Sequence, residues 1–352
     1  MRWKPPLKED WDILYKEALK FRKLDPWYYL EDTEIYCIED PISKTPIFCS
    51  ILGSNNEVFG LSAHIGLTGM EAVNKIISGN IAKLDEEFYE MHTLLCSFEP
   101  WDHLLIEEQI QAEKFDPELK KDQMCPGFIC YEPDYVPFSF SQQECQLMTT
   151  ILKQSQNMIK RAKEDPLFLA SGNQNEILVR KYHYTNKNGT MFWKNQWQVF
   201  PPYMPIYEAM HLDNSNIKKR LKAYPVKNEV IWEVDALHMP FVIEEGYKPY
   251  YPRMLFVVDH HSGFGLEPAM CKDKEAPKDI FLSHFIKLID GCGFRPKAIM
   301  AKNEKTINLF SMVCADLGIA LLHEPELPMI EKMKNSLLTD MDQQIDNTKT
   351  VH

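Results

Sequence analysis

The stretch from Val230 to Leu338 constrains the fold more than any other part of the chain. It opens with IWEVDALHMP and MLFVVDHHSGFGLEPAM, both dense in β-branched and aromatic residues and bounded by turn residues. These give a first and a second strand, and Phe264 to Met270 gives a third. Phe281 to Cys292 has helical spacing, with Phe281, Leu282, Phe285, Ile286, Leu288 and Ile289 forming a broad apolar face. Pro296 to Met300 reads as a fourth strand, Ile307 to Leu317 as a helix stopped by Gly318, and Ile319 to Leu322 as a fifth strand. Strands and helices in this order predict an α/β unit with a mixed five-stranded sheet flanked by helices.

The chain has 352 residues, enough for more than one core. The reading divides it into an α+β domain at 1–170, an aromatic β-hairpin and linker at 171–228, the α/β unit at 229–340, and a frayed polar tail at 341–352. In the first part, Trp11 to Arg22 is helical, and Ile35 to Ile38, Ile47 to Leu52 and Val58 to Ile65 are strands. Gly53-Ser54-Asn55-Asn56 is a hairpin turn. Phe88 to Phe98 fits sheet or helix equally. Cys125 to Pro137, CPGFICYEPDYVP, reads as irregular because of its prolines. Ser141 followed by Glu144 is a capping box that opens a helix to about Lys163. Ile177 to Tyr184 and Thr190 to Val199 form a hairpin around the turn Asn186 to Gly189, and Ile217 to Tyr224 is a short basic helix.

The charge balance is acidic, 39 basic against 51 acidic residues, or −12. Grip on bare nucleic acid draws most of its affinity from neutralised phosphates, so this balance disfavours it and favours a protein partner. No apolar run spans a membrane and no signal peptide opens the chain, so a cytoplasmic protein is expected. The nine cysteines are scattered, with no CxxC pair, and are expected to be buried and reduced.

Asp235 is the first candidate for chemistry. Strand alternation puts Trp232 and Val234 on one face, with Ile231, Glu233 and Asp235 on the other. A carboxylate inside an apolar strand needs a partner or a metal. This stretch resembles the RNase H-like nucleases and retroviral-type integrases, which carry a first metal-binding aspartate on such a strand. The resemblance extends through Asp259, Ser262 and Gly263, where Asp259 reads as a turn former. It implies a second metal-binding aspartate at the end of the fourth strand, but there the chain has Ala301-Lys302-Asn303-Glu304. Two divalent ions about 4 Å apart, Mg²⁺ or Mn²⁺, need converging carboxylates, and a lysine repels them. For the third carboxylate, Glu304 and Glu331 are candidates, although neither has the family spacing. The whole chain also resembles bacterial proteins in which two domains of unknown function stand in tandem. That likeness rests on LGSNNEVFGLSAHIGLTGMEAV, on PGFICYEPDYVPFSFSQQE, and on Leu317-Gly318-Ile319 with Leu327-Pro328.

Other features have plainer readings. His260 and His261 beside Asp259, with His238 near Asp235, could be ligands but read as a polar turn and strand exit. Gly66 and Gly69 before a helix could cradle a phosphate but read as a tight turn. Trp193 and Trp197 could stack on a base or sugar but read as hairpin core, and Lys218, Lys219, Arg220 and Lys222 as a solvated helix face. The expectation is a non-catalytic binding or regulatory module without a cofactor, in which Lys302, His238, His260, Trp193 and Trp197 are candidate binding residues. The alternative is a divergent metal-dependent nuclease using Asp235, Asp259 and Glu304 or Glu331.

Overall fold

In a computed structural model, the described residues are 3–336, apart from 56, 80–85, 171–172, 174, 185–190, 204–207, 246–247 and 273–274. The turn at Asn186 to Gly189, Asn56 of the first hairpin turn and the tail at 341–352 lie outside the described residues. The chain divides into two compact units, Met1–Met204 and Pro205–His352.

The first unit opens with α1 (Lys8–Arg22), which buries Leu14, Tyr15, Ala18 and Phe21 along one face at helical spacing. Then come β1 (Tyr36–Glu39), β2 (Pro46–Leu52), β3 (Phe59–Ile65) and α2 (Gly66–Ile77). After a short 3-10 turn, β4 (Thr93–Glu99) resolves the ambiguous stretch as sheet, followed by α3 (Ile106–Phe115) and β5 (Cys125–Tyr131). The long α4 (Gln142–Glu164) and the hairpin of β6 (Glu176–Tyr184) and β7 (Met191–Val199) complete the unit. The strands form one seven-stranded sheet in the order β5-β4-β3-β2-β1-β6-β7. Neighbours are antiparallel except β1 and β6, which run parallel. Leu14, Tyr15 and Phe21 of α1 and Met148, Ile151 and Leu152 of α4 share one core with Ile38, Ile47, Cys49 and Cys96 of the sheet. Val73 of α2 packs with Cys37, Phe48 and Val179 in a separate cluster.

Two expectations fail here. The segment read as irregular contains β5, at the edge of the sheet. Edge strands tolerate proline, and Pro126 takes its place opposite Phe98 without breaking the ladder. The aromatic hairpin is likewise no separate linker unit. Its β6 pairs with β1, so the first unit runs past 170 to the end of the hairpin.

The second unit starts with α5 (Ser215–Ala223), whose Leu221 is buried in this unit's core, which is why the segment up to 228 is not a linker. It continues with β8 (Val226–His238), β9 (Arg253–Asp259), β10 (Ala269–Cys271), α6 (Pro277–Cys292), β11 (Arg295–Ala301), α7 (Glu304–Leu317) and β12 (Ala320–His323). A last helix, α8, begins at 328 and runs to 336, the end of the described residues. The five-stranded sheet has the order β10-β9-β8-β11-β12. The pairs β10/β9 and β9/β8 are antiparallel, and β8/β11 and β11/β12 are parallel. This is the mixed five-stranded sheet flanked by helices that the sequence pattern predicts. The third strand is shorter than the run Phe264 to Met270: Gly265 makes an isolated antiparallel bridge to Val258, and the continuous ladder with β9 resumes at Ala269, after Pro268, which has no N–H to give.

Trp232 and Val234 of β8 join Phe285 of α6 and Phe310 of α7 in the main core of this unit. Trp232 meets Phe285 edge-on at 6.2 Å, and Phe285 meets Phe310 edge-on at 5.3 Å. Leu237 belongs to a second cluster with Phe256, Val258, Leu327 and Ile330, which α8 covers.

Candidate functional site

β8 carries two buried carboxylates, Glu233 and Asp235, two residues apart and therefore on one face of the sheet. Its parallel neighbour β11 ends beside them, so the loop into α7 and the start of α8 are the elements that can reach them.

Asp235 is held by the start of α7. Asn303 Nδ2 donates to Asp235 Oδ1 at 2.6 Å, and the buried Thr306 hydroxyl donates to the same oxygen at 3.3 Å. Asn303 is also the helix cap, its Oδ1 accepting the Thr306 N–H at 2.7 Å. Thr306 Oγ1 in turn accepts the Ala236 N–H at 3.2 Å. Asp235 is thus tied by side-chain donors to the helix that follows β11.

Glu233 is fully buried and more tightly bound. Its Oε1 lies 2.6 Å from His260 Nδ1, and its Oε2 accepts the N–H groups of Met329 at 2.9 Å and Ile330 at 3.0 Å. The last two are the free amides of the first turn of α8, so the carboxylate sits at the positive end of that helix. It fastens α8 to the sheet.

Lys302 stands at the end of β11. Its Nζ lies 3.3 Å from Glu331 Oε1, and each side chain is 51% exposed. The position where the sequence resemblance implies a second carboxylate therefore holds a cation, paired with Glu331, one of the two candidates for the third. Asp235 engages amide and hydroxyl donors, and Glu331 engages an ammonium group. Such a donor set does not fit a pair of divalent ions, which need carboxylate oxygens with their lone pairs turned inward.

The remaining expected residues scatter. Asp259 caps its own turn, Oδ1 accepting from the Ser262 N–H at 2.8 Å and the Ser262 hydroxyl at 2.7 Å. Partial burial works against its ionisation, but the Ser262 bonds outweigh burial and hold the carboxyl below its ordinary value. Glu304 is exposed on the first turn of α7. His238 is buried and accepts from Arg253 Nε at 3.0 Å, whereas His260 is turned to Glu233, so the two histidines serve different partners. Trp193 packs against the core of the first unit, 5.2 Å from Tyr182 and with the Arg180 guanidinium 6.0 Å from its ring, while Trp197 is exposed. Of the basic cluster on α5, Lys218 pairs with Asp316 and Arg220 with Asp290. Gly69 packs so close to the His64 backbone that a Cβ would come within 2.6 Å of it, so close packing accounts for this glycine.

Sequence reading singled out Asp235 and missed Glu233, Asn303 and Thr306. Asn303 three residues before Thr306, just after a strand, was the available signal of a capped helix start. Glu233 shares a face with Asp235, but nothing local marked its contact with α8.

Residues 11–180 match the profile of a domain of unknown function, DUF7309, and residues 217–338 match that of a second, DUF6930. The chain carries these two domains in tandem. A search of curated proteins gives no match. Among solved structures, the chain is similar to the HTLV-2 integrase catalytic core domain, in dimeric form with magnesium. The identity is 19%, the match covers 34% of this chain and 71% of that chain, and the TM-score is 0.23. It is also similar to a chain of the simian T-cell lymphotropic virus intasome in complex with the PP2A regulatory subunit B56 gamma. There the identity is 15%, the coverage 56% of this chain and 57% of that chain, and the TM-score 0.26.

Proposed function

We propose that the DUF6930 domain is a non-catalytic binding or regulatory module on an RNase H-like scaffold, and that its partner is a protein. The observation that carries this reading is the Lys302–Glu331 ion pair, which fills with a salt bridge the place where nuclease chemistry needs metal-binding carboxylates. The net charge of −12 supports a protein partner over bare nucleic acid, since like charge opposes the approach of phosphates. A bacterial, cytoplasmic location is part of this reading; the nine free cysteines, which suit a reducing compartment, support it.

The test is thermal melting of the wild type and Asp235→Asn with and without millimolar Mn²⁺, alongside incubation with single- and double-stranded DNA and RNA. The expected result is no cleavage and no melting shift that depends on Asp235. A ligand at 100 times its dissociation constant would stabilise by about 2.7 kcal/mol, an easily seen shift. Mn²⁺-dependent cleavage or stabilisation present in the wild type and lost in Asp235→Asn would overturn the reading and favour a divergent nuclease.

A further inference from the structure

In the first unit, three donor side chains from separate elements meet. His92 lies just before β4, Cys130 is in β5, and Glu144 is in the first turn of α4. One ligand atom from each, an imidazole nitrogen, the thiol sulfur and a carboxylate oxygen, lies within 4.8 Å of both others. Among the described residues, this is the one such grouping of three His, Cys, Asp or Glu side chains. We propose that His92, Cys130 and Glu144 bind one divalent transition-metal ion, with zinc as the favoured occupant.

The donor chemistry selects the metal class. Thiolate, imidazole and carboxylate are the three side-chain ligands zinc takes, and the sulfur disfavours magnesium and calcium. The geometry requires little movement. Cys130 Sγ is 3.3 Å from Glu144 Oε1. Ordinary zinc–sulfur and zinc–oxygen lengths at a tetrahedral angle place those two atoms roughly 3.5 Å apart.

The backbone around the donors is already fixed. Cys130 exchanges both backbone hydrogen bonds with Phe138, at 2.8 and 3.0 Å. The second oxygen of Glu144 accepts the Ser141 N–H at 2.5 Å, while the Ser141 hydroxyl accepts the Glu144 N–H at 3.4 Å. The capping box therefore orients the carboxylate, with one oxygen on the helix end and the other toward the sulfur. An outer hydrogen bond of this kind orients a metal-binding carboxylate. The positive end of α4 opposes a cation, but the carboxylate stands between the two charges.

Access also fits. Cys130 is buried, whereas His92 and Glu144 are half-buried, so the cluster opens on one side. An ion can enter there and complete four-coordination with water or a substrate atom, as three-ligand zinc sites do. A free cysteine nucleophile fits less well. The thiol donates to a carboxylate, whose charge repels the thiolate that such chemistry needs, whereas a divalent ion between the two removes that repulsion.

The test uses the full chain, stripped with a chelator and titrated with Co²⁺ and then Zn²⁺. One equivalent of Co²⁺ should bind with a thiolate-to-cobalt charge-transfer band and the d–d bands of a four-coordinate ion, and Zn²⁺ should bleach both. Cys130→Ser should abolish the charge-transfer band. His92→Gln and Glu144→Gln should each weaken Zn²⁺ binding by at least the roughly 10–100-fold that follows loss of an orienting partner. Glutamine can still serve the capping box, so Glu144→Gln is expected to fold, and circular dichroism checks each variant. If a variant fails to fold, the wild-type spectrum decides alone. Absence of the charge-transfer band, or less than one equivalent bound, overturns the proposal. An intact band in Cys130→Ser overturns it as well.

Discussion

Two sites, one in each unit, use their acids differently. In the second, Glu233 and Asp235 are engaged from within the fold: one by His260 and two helix amides, the other by Asn303 and Thr306. In the first, Glu144 gives one oxygen to the helix end and turns the other toward a thiol, in a cluster that also includes an imidazole. In the second unit these acids hold helices to a sheet. The site in the first unit presents a mixed donor set on fixed backbone. Fold likeness and chemical capacity are therefore separate properties, and only the second is read from donors and their partners.

The sharpest break in this contrast would come at Glu233. Glu233→Ala would leave the two α8 amides and His260 without their acceptor, and the expected loss is about 3–5 kcal/mol of unfolding free energy in a denaturant titration. A loss below about 1 kcal/mol would mean that the carboxylate does not fasten α8.

The next effect concerns a second histidine of the first unit. His64 is buried against the hydroxyls of Thr93, at 2.9 Å, and Ser62, at 3.1 Å, and burial pushes its pKa down to about 4 from 6.5. Its neutral form is favoured in the folded state, so the stability it contributes is complete above about pH 6.5. That contribution falls as pH drops toward 4 and changes no further below. The loss over that window is about 3 kcal/mol at 1.36 kcal/mol per pKa unit. Melts from pH 7 to 4 on the wild type and His64→Gln measure it, and equal slopes would remove the assignment.

Ser141→Ala should cost about 1 kcal/mol as a lost helix cap, read as a lower melting temperature. Because the cap also positions Glu144, this variant should weaken Co²⁺ binding as well, joining the two roles of one motif. The smallest effect belongs to Lys302→Ala. An ion pair with both members half exposed contributes under about 1 kcal/mol, so the melting temperature should barely move, and a drop of several degrees would show a structural role.

Much of this architecture was legible because it is local. The Ser141–Glu144 capping box, the Asp259–Ser262 turn and the helix stop at Gly318 all form between residues close in the chain, and each appears as expected. The central strands of the second unit, β8, β9 and β11, were legible because strands buried in a core read as apolar runs. β5 was not, because Pro126 and Gly127 hide its pattern and only its edge position makes them tolerable. The donors His92, Cys130 and Glu144 were not, because they belong to three elements whose convergence depends on the register of β4 with β5 and on where α4 begins. The pairing of Glu331 with Lys302 was not legible either, because it depends on where α8 starts relative to the end of β11.

The lone parallel pairing in the first sheet, β1 with β6, bears on how the chain is made. No turn can join two parallel neighbours, and here every element from β2 to α4 is synthesised between them. Until β6 leaves the ribosome, β1 has an open edge of unpaired amides and carbonyls. A strand edge of that kind is a template for other chains. Nascent or truncated chains that end after α4 should therefore be the ones that aggregate, and closure of this pair should be a late, slow step of folding.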